Sequence, residues 1–352
     1  MLTTNNKAME QINKNLSIGI IGAGDIVSKV HLPVLSAMEG AAIRWITDID
    51  SKKAYSLANA YKISYCELPR NLTELPYTDI VLLAIPYGAR KPYYEVFRER
   101  TSALYVEKPF SLTQDEHKNL CSWFPPYKLC LGLQRRSWGP TLLIKKIIET
   151  NVYGELQAIR FGLGNPAGFV GLADFFSDIS LSRGGILFDV GIHGIDTIFF
   201  CTNAKLFQIN YLKMITEKGY DIHTKAEYTI QNSQNNNIKC EITVSSLQET
   251  INKIEFEFKD SVLSYSLFDL EGRINIKTLE DKTSETLSLT IDKDKTYPIT
   301  TFQTFCEHWS HFINGINFKQ ANWTSASDSL LTTGLIESLY KEGSKQIQKL
   351  KT

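Results

Sequence analysis

Long apolar runs, clustered cysteines and net charge are all scarce in this chain of 352 residues. No stretch stays apolar for the roughly 18 residues that a membrane helix needs, and residues 1–15 are polar where a secretory signal carries its apolar core. A cytoplasmic protein with no membrane partner is the expectation. The chain has 38 basic and 38 acidic side chains and a formal net charge of zero, so no global field gathers nucleic acid or an anionic surface. Six cysteines lie at 66, 121, 130, 201, 240 and 306. None forms C-x-x-C and none joins histidines at zinc spacing, which predicts reduced thiols and no metal site. Internal repeats are lacking too. What is present is the composition of a globular chain, 43% apolar and 22% charged, long enough for two domains with separate cores.

After a flexible leader over residues 1–15, Leu16–Ile21 reads as a short strand rich in β-branched residues that runs into Gly22. Helical character starts at Asp25, and Pro33 splits or restarts that helix. Strands are predicted over 42–47, 80–85 and 103–106, the last two continuous apolar runs of the kind buried on both faces. Helices over 51–61 and 117–123 alternate with them, which implies a parallel sheet. This first domain spans 16–134. Over 135–352 the texture changes to short β-rich segments at 156–161, 228–230, 238–244, 254–258 and 262–267, with helices over 185–200, 302–315 and 326–340. The fold class is therefore α/β, a doubly wound parallel sheet followed by an α/β domain with a mixed or antiparallel sheet.

Gly22-Ala23-Gly24 follows the first strand in the register of a dinucleotide turn, with Gly22 at the tight bend and Gly24 where a pyrophosphate approaches. The third position of that pattern is Val27, which leaves the helix N-terminus, with Asp25 and Ile26, available for phosphate. Asp48, at the tip of the second strand, suits an acid that binds the adenosine ribose hydroxyls, which favours NAD with NADP as the alternative. The plain alternative is an aspartate that caps the helix beginning near Ser51. Glu107-Lys108-Pro109 closes the apolar strand 103–106, and the carboxyl ends of parallel strands are where ligands bind in this architecture. Most lysines are merely solvated, so position is what singles out Lys108. In Asp189-Val190-Gly191-Ile192-His193, the carboxylate and the imidazole stand one helical turn apart on the same side. Asp196 can anchor that histidine, and the histidine can equally be a satisfied core residue.

These motifs together resemble the glucose-fructose oxidoreductase, inositol dehydrogenase and rhizopine-catabolism family (Gfo/Idh/MocA) of NAD(P)-dependent oxidoreductases. The likeness rests on Gly22-Ala23-Gly24, His31-Leu32-Pro33, Asp48, Ala84-Ile85-Pro86, Glu107-Lys108-Pro109 and Asp189-x-x-x-His193-x-x-Asp196, in order over most of the chain. It implies a Rossmann domain and a second α/β domain with a large open, mostly antiparallel sheet whose outer face makes a homodimer or homotetramer. It also implies an oxidoreductase for a secondary alcohol or ketone of a sugar, sugar nucleotide or cyclitol. Lys108, Asp189 and His193 are then catalytic. Gly22, Gly24, Asp25, Ile26, Asp48, Ile85, Pro86, Glu107 and Lys108 would hold the cofactor. Gln134-Arg135-Arg136-Ser137-Trp138 resembles the segment lining the substrate cavity, so Arg135, Arg136 and Trp138 join Asp189 and His193 as substrate residues, although a plain solvated basic pair also fits the two arginines. The loop 165–176 would set substrate choice. Two departures stand out, Val27 and the sequence Tyr87-Gly88-Ala89-Arg90 where the family carries a histidine. Two further readings remain, a lyase or glycosidase that uses NAD only transiently and a non-catalytic nucleotide sensor.

Overall fold

The computed structural model describes residues 15–100, 102–166, 184–267, 272–280, 283–288 and 297–349. Its helices are α1 (Leu32–Ala37), α2 (Ser51–Tyr61), α3 (Lys91–Glu99), α4 (Gln114–Ser122), α5 (Gly139–Thr150), α6 (Ile192–Thr202), α7 (Thr301–Phe318) and α8 (Leu330–Lys349). The chain divides into two compact units. The first comprises the chain up to Phe110, Lys118–Gly132 and Thr301–Asp328, and the second Ser111–His117, Leu133–Thr300 and the chain from Ser329.

In the first unit, β1 (Leu16–Ile21), β2 (Ala41–Thr47), β3 (Ser64–Tyr65), β4 (Ile80–Leu83), β5 (Ala103–Val106) and β6 (Leu129–Leu131) form a parallel sheet in the order β3-β2-β1-β4-β5-β6. This is the Rossmann order. Every residue of β4 and β5 is buried, as continuous apolar strands covered on both faces require. Strand order reverses between β1 and β4, so the crevice for a ligand opens at their carboxyl ends. Ahead of α1 lies a π-helical turn, Val27–His31, and Pro33 sits in the first turn of α1. The helix runs on from that turn, in which Leu32 N donates to Val27 O, and the change from π to α bonding is where the proline, with no N–H to donate, is accommodated. The helix restarts where the sequence predicts.

The return of α7 to this unit lies beyond the sequence boundary at 134. Phe305, Trp309, Phe312 and Ile313 of α7 join Ile18, Ile20, Leu82 and Tyr105 in one core, and Trp309 stacks on Tyr105 with ring centroids 4.2 Å apart. Each such side chain contributes about 1.5–3 kcal/mol on full burial, so α7 is an integral part of the unit.

The second unit is built on a sheet of β7 (Leu156–Gly164), β8 (Ala204–Glu217), β9 (Tyr220–Asn232), β10 (Asn237–Ser245), β11 (Lys253–Phe258), β12 (Ser261–Ser266), β13 (Arg273–Thr278) and β14 (Ser284–Ser288). Their order is β14-β13-β12-β11-β7-β10-β9-β8. Only β7 and β10 run parallel to each other, all other neighbours being antiparallel. One face buries Ile159, Phe161, Ile242, Val244, Phe256, Leu263 and Tyr265. The opposite face carries charge pairs, with Arg160 beside Glu255 and Glu257 and Lys225 3.3 Å from Glu241. Among the described residues no helix is long and apolar enough to cross a membrane, and no group of His, Cys, Asp and Glu could hold a metal ion. All six cysteines are free thiols.

Candidate active site

The first unit presents its glycine turn at the carboxyl end of β1. Gly22 has φ +114°, and a Cβ there would lie 2.3 Å from the Ala84 carbonyl oxygen, so only glycine fits. A Cβ on Gly24 would meet nothing within 4 Å. The carbonyl of Gly24 accepts from Val27 N at 3.1 Å and Ser28 N at 3.0 Å, and the amides of Asp25 and Ile26 belong to the first turn, where no helical carbonyl precedes them. An open cradle lined by first-turn amides fits a pyrophosphate. Val27 is fully buried in the core, so the missing third glycine changes packing and leaves the cradle intact. Asp25 is exposed and bound to Lys29 at 2.7 Å, and that hydrogen bond holds its carboxyl below the ordinary range.

Asp48 ties two strand ends together. Its Oδ2 accepts from Ala23 N at 2.6 Å and its Oδ1 from Asp50 N at 2.8 Å. The cap of α2 is Asp50, which accepts from Lys53 N. Asp48 is therefore not that helix cap, and its carboxylate oxygens keep lone pairs for ribose hydroxyls.

Ile85 and Pro86 follow β4, and Glu107, Lys108 and Pro109 follow β5, with a cis bond between Lys108 and Pro109. Lys108 is half-buried. Glu107 is buried and receives His31 Nε2 on its Oε1 at 2.8 Å, while Trp309 Nε1 donates to His31 Nδ1 at 3.1 Å. An indole N–H can only donate. His31 Nδ1 is therefore bare, and its proton sits on Nε2, directed at Glu107. Burial raises the Glu107 carboxyl pKa, but the His31 hydrogen bond and the charges of Lys108 and Arg90 outweigh it and leave the group below its ordinary 4.5. Arg90, the departure from the family pattern, is buried and donates to the carbonyls of Ile85, Glu107 and Pro109.

In the second unit, Asp189 is half-buried on a π-helical turn, Leu187–Gly191, and His193 is the second residue of α6, also half-buried. Asp196, read from sequence as an anchor for His193, takes Arg136 in a bidentate pair at 2.7 and 2.6 Å and also accepts from Thr332 Oγ1 at 3.0 Å. Both ions are almost fully buried. The reading of Arg135 and Arg136 as a solvated basic pair is thus corrected at Arg136, because a guanidinium at that depth needs its counter-charge. Arg135 is half-buried over the Trp138 ring at 5.2 Å, and Trp138 donates its indole N–H to Ile299 O at 3.0 Å. The helix carrying Asp189 and His193 is held at its start by Asp221, which accepts from Gly185 N, Leu187 N, Thr224 Oγ1 and the Tyr340 hydroxyl. Sequence reasoning missed Asp221, which sits in a polar part of a long strand. Most of the loop 165–176 lies outside the described residues.

Residues 16–131 match the model of the Gfo/Idh/MocA oxidoreductase family, described as an NAD-binding Rossmann fold. Over those residues, about a third of the chain, it is similar to this family. Among curated proteins, the oxidoreductase YrbE of Bacillus subtilis (strain 168) is 24% identical over 201 residues, 56% of this chain and 57% of YrbE. D-glucoside 3-dehydrogenase of Escherichia coli (strain K12) is 23% identical over 188 residues, 53% of each chain. The chain thus spans little more than half the length of these relatives. A solved levoglucosan dehydrogenase, in complex with NADH and levoglucosan, shares the fold with TM-score 0.79 and 16% identity over 94% of this chain and 98% of its own.

Proposed function

We propose that the protein transfers a hydride between NAD(P) and a secondary alcohol or ketone of a sugar, sugar nucleotide or cyclitol. The observation that carries this reading is the bracing of Lys108 at the carboxyl end of β5, in the same sheet as the open glycine cradle after β1. The names of the relatives, a D-glucoside dehydrogenase and a levoglucosan dehydrogenase, support the carbohydrate class. Nicotinamide, when bound, supplies the hydride acceptor. Gly24, Asp25 and Ile26 would offer backbone amides to its pyrophosphate and Asp48 its carboxylate to the ribose. In the reaction the Lys108 ammonium donates a hydrogen bond to the alcohol oxygen and stabilises the charge developing there. His193 takes the hydroxyl proton and Asp189 orients it. Arg135 and Trp138 contribute to substrate binding, whereas Arg136 acts through Asp196.

The test is absorbance in the reduced-nicotinamide band while NAD or NADP is mixed with a panel of sugars, sugar nucleotides and inositols. Accumulation of NADH with one alcohol supports the dehydrogenase. Silence across the panel, with NAD bound, favours transient internal redox or a sensor. With an active alcohol in hand, Lys108→Met is expected to lower turnover by on the order of 10²-fold and to leave NAD affinity unchanged. Turnover equal to wild type removes Lys108 from the mechanism.

A further inference from the structure

We infer that Arg90 is a positioning residue for Lys108, a reading that rests on the role proposed above for that lysine. The guanidinium is buried, with 3% exposure, and it reaches carbonyls at two neighbouring strand ends. Nε donates to Ile85 O at 2.8 Å, just past β4, and Nη1 donates to both Glu107 O and Pro109 O at 2.5 Å, just past β5. These last two carbonyls flank Lys108 in the chain. One nitrogen thus restrains the Glu107–Lys108 peptide plane and the Pro109–Phe110 plane beyond the lysine, while Lys108 N is held by Glu107 Oε2 at 3.3 Å.

The base of Arg90 is itself anchored. It is the N-cap residue just before α3, and its carbonyl accepts from Tyr93 N and Tyr94 N, so the side chain reaches back over the strand ends from a fixed root. A buried cation is weak evidence for stability, since a well-packed apolar side chain often serves as well. What the guanidinium adds is direction, because its donors are fixed in one rigid plane, whereas the three donors of an ammonium rotate on a flexible stem.

The experiment uses Arg90→Lys and Arg90→Met in the full chain, with Arg90→Ala for chemical rescue, and has two readouts. In kinetics with the active alcohol, kcat is expected to fall roughly 10- to 100-fold, the loss that follows misplacement of a reacting group by about 1 Å. KM for NAD stays near wild type, and guanidinium added to Arg90→Ala restores part of the turnover. The second readout needs no turnover. The rate at which an acetylating reagent modifies Lys108, followed by mass spectrometry against the other lysines, is expected to change in both variants. Unchanged kcat per folded molecule, or unchanged Lys108 labelling, overturns the inference, even if the melting midpoint falls. If no alcohol is oxidised by wild type, the proposed function fails and labelling alone decides the brace. If Arg90→Met does not fold, Arg90→Lys carries the test.

Discussion

Gly22 has no room for a Cβ, whereas Gly24 has nothing but room, and one substitution at each separates folding from binding. Gly22→Ala forces an alanine to φ +114° against the Ala84 carbonyl and is expected to cost at least about 1–3 kcal/mol of stability, seen as a lower melting midpoint. Gly24→Ala places its methyl in open space, so stability should hold within about 0.5 kcal/mol. NAD affinity should nevertheless fall roughly tenfold, or about 1.4 kcal/mol, measured by calorimetric titration. Equal NAD affinity in Gly24→Ala and wild type would dissociate Gly24 from the cofactor. At this scale the sequence is a good guide to which residue types stand at the strand ends, as for Gly22, Gly24, Asp48 and Lys108, which follow β1, β2 and β5. It is a poor guide to partners. Nothing near Glu107 announces Trp309, some 200 positions downstream, and nothing in Arg135-Arg136 says that one guanidinium turns to a buried Asp196.

Among the elements, the segment carrying Asp189 and His193 depends on a cap supplied by another strand. Asp221 of β9 collects two backbone amides, Gly185 N at 3.0 Å and Leu187 N at 2.9 Å, at the start of the π-helical turn that leads into α6. Asp221→Asn keeps the shape but turns an amide NH₂ toward donors. The expected cost is about 1–3 kcal/mol, with faster hydrogen exchange at Gly185 and Leu187. Protection equal to wild type at those two amides would show that the helix start is held by other means. The apolar strands β4 and β5 and the helix α2 were legible because their periodicity is local. β8, which leaves much of its length half-buried or exposed, gives no apolar alternation to read, and the assignment of α7 to the first unit rests on contacts that no local pattern encodes.

For the whole molecule, the carboxylates set the response to acid. Burial raises Glu107, yet its hydrogen bond and neighbouring charges leave it below 4.5. Glu307 is lowered chiefly by its hydrogen bond with His311, and Glu337 ends lower because its bonds with Lys341 and Gln114 outweigh burial. A carboxylate depressed in the folded state contributes stability above its unfolded pKa and loses it as pH falls through the folded value. Asp221 runs the other way. Burial raises its pKa above 3.8 despite its four donors, so its contribution is present at low pH and lost as pH rises through the folded value. With these three and the exposed Asp25 lowered against one raised, the melting midpoint should fall as pH drops below about 4.5. Glu107→Gln keeps an oxygen for His31 Nε2 but cannot titrate, so its melting midpoint should fall less steeply over the same acid range than that of wild type. Parallel curves for the two proteins would mean that the Trp309–His31–Glu107 chain survives protonation of the carboxylate, and that acid unfolding begins elsewhere.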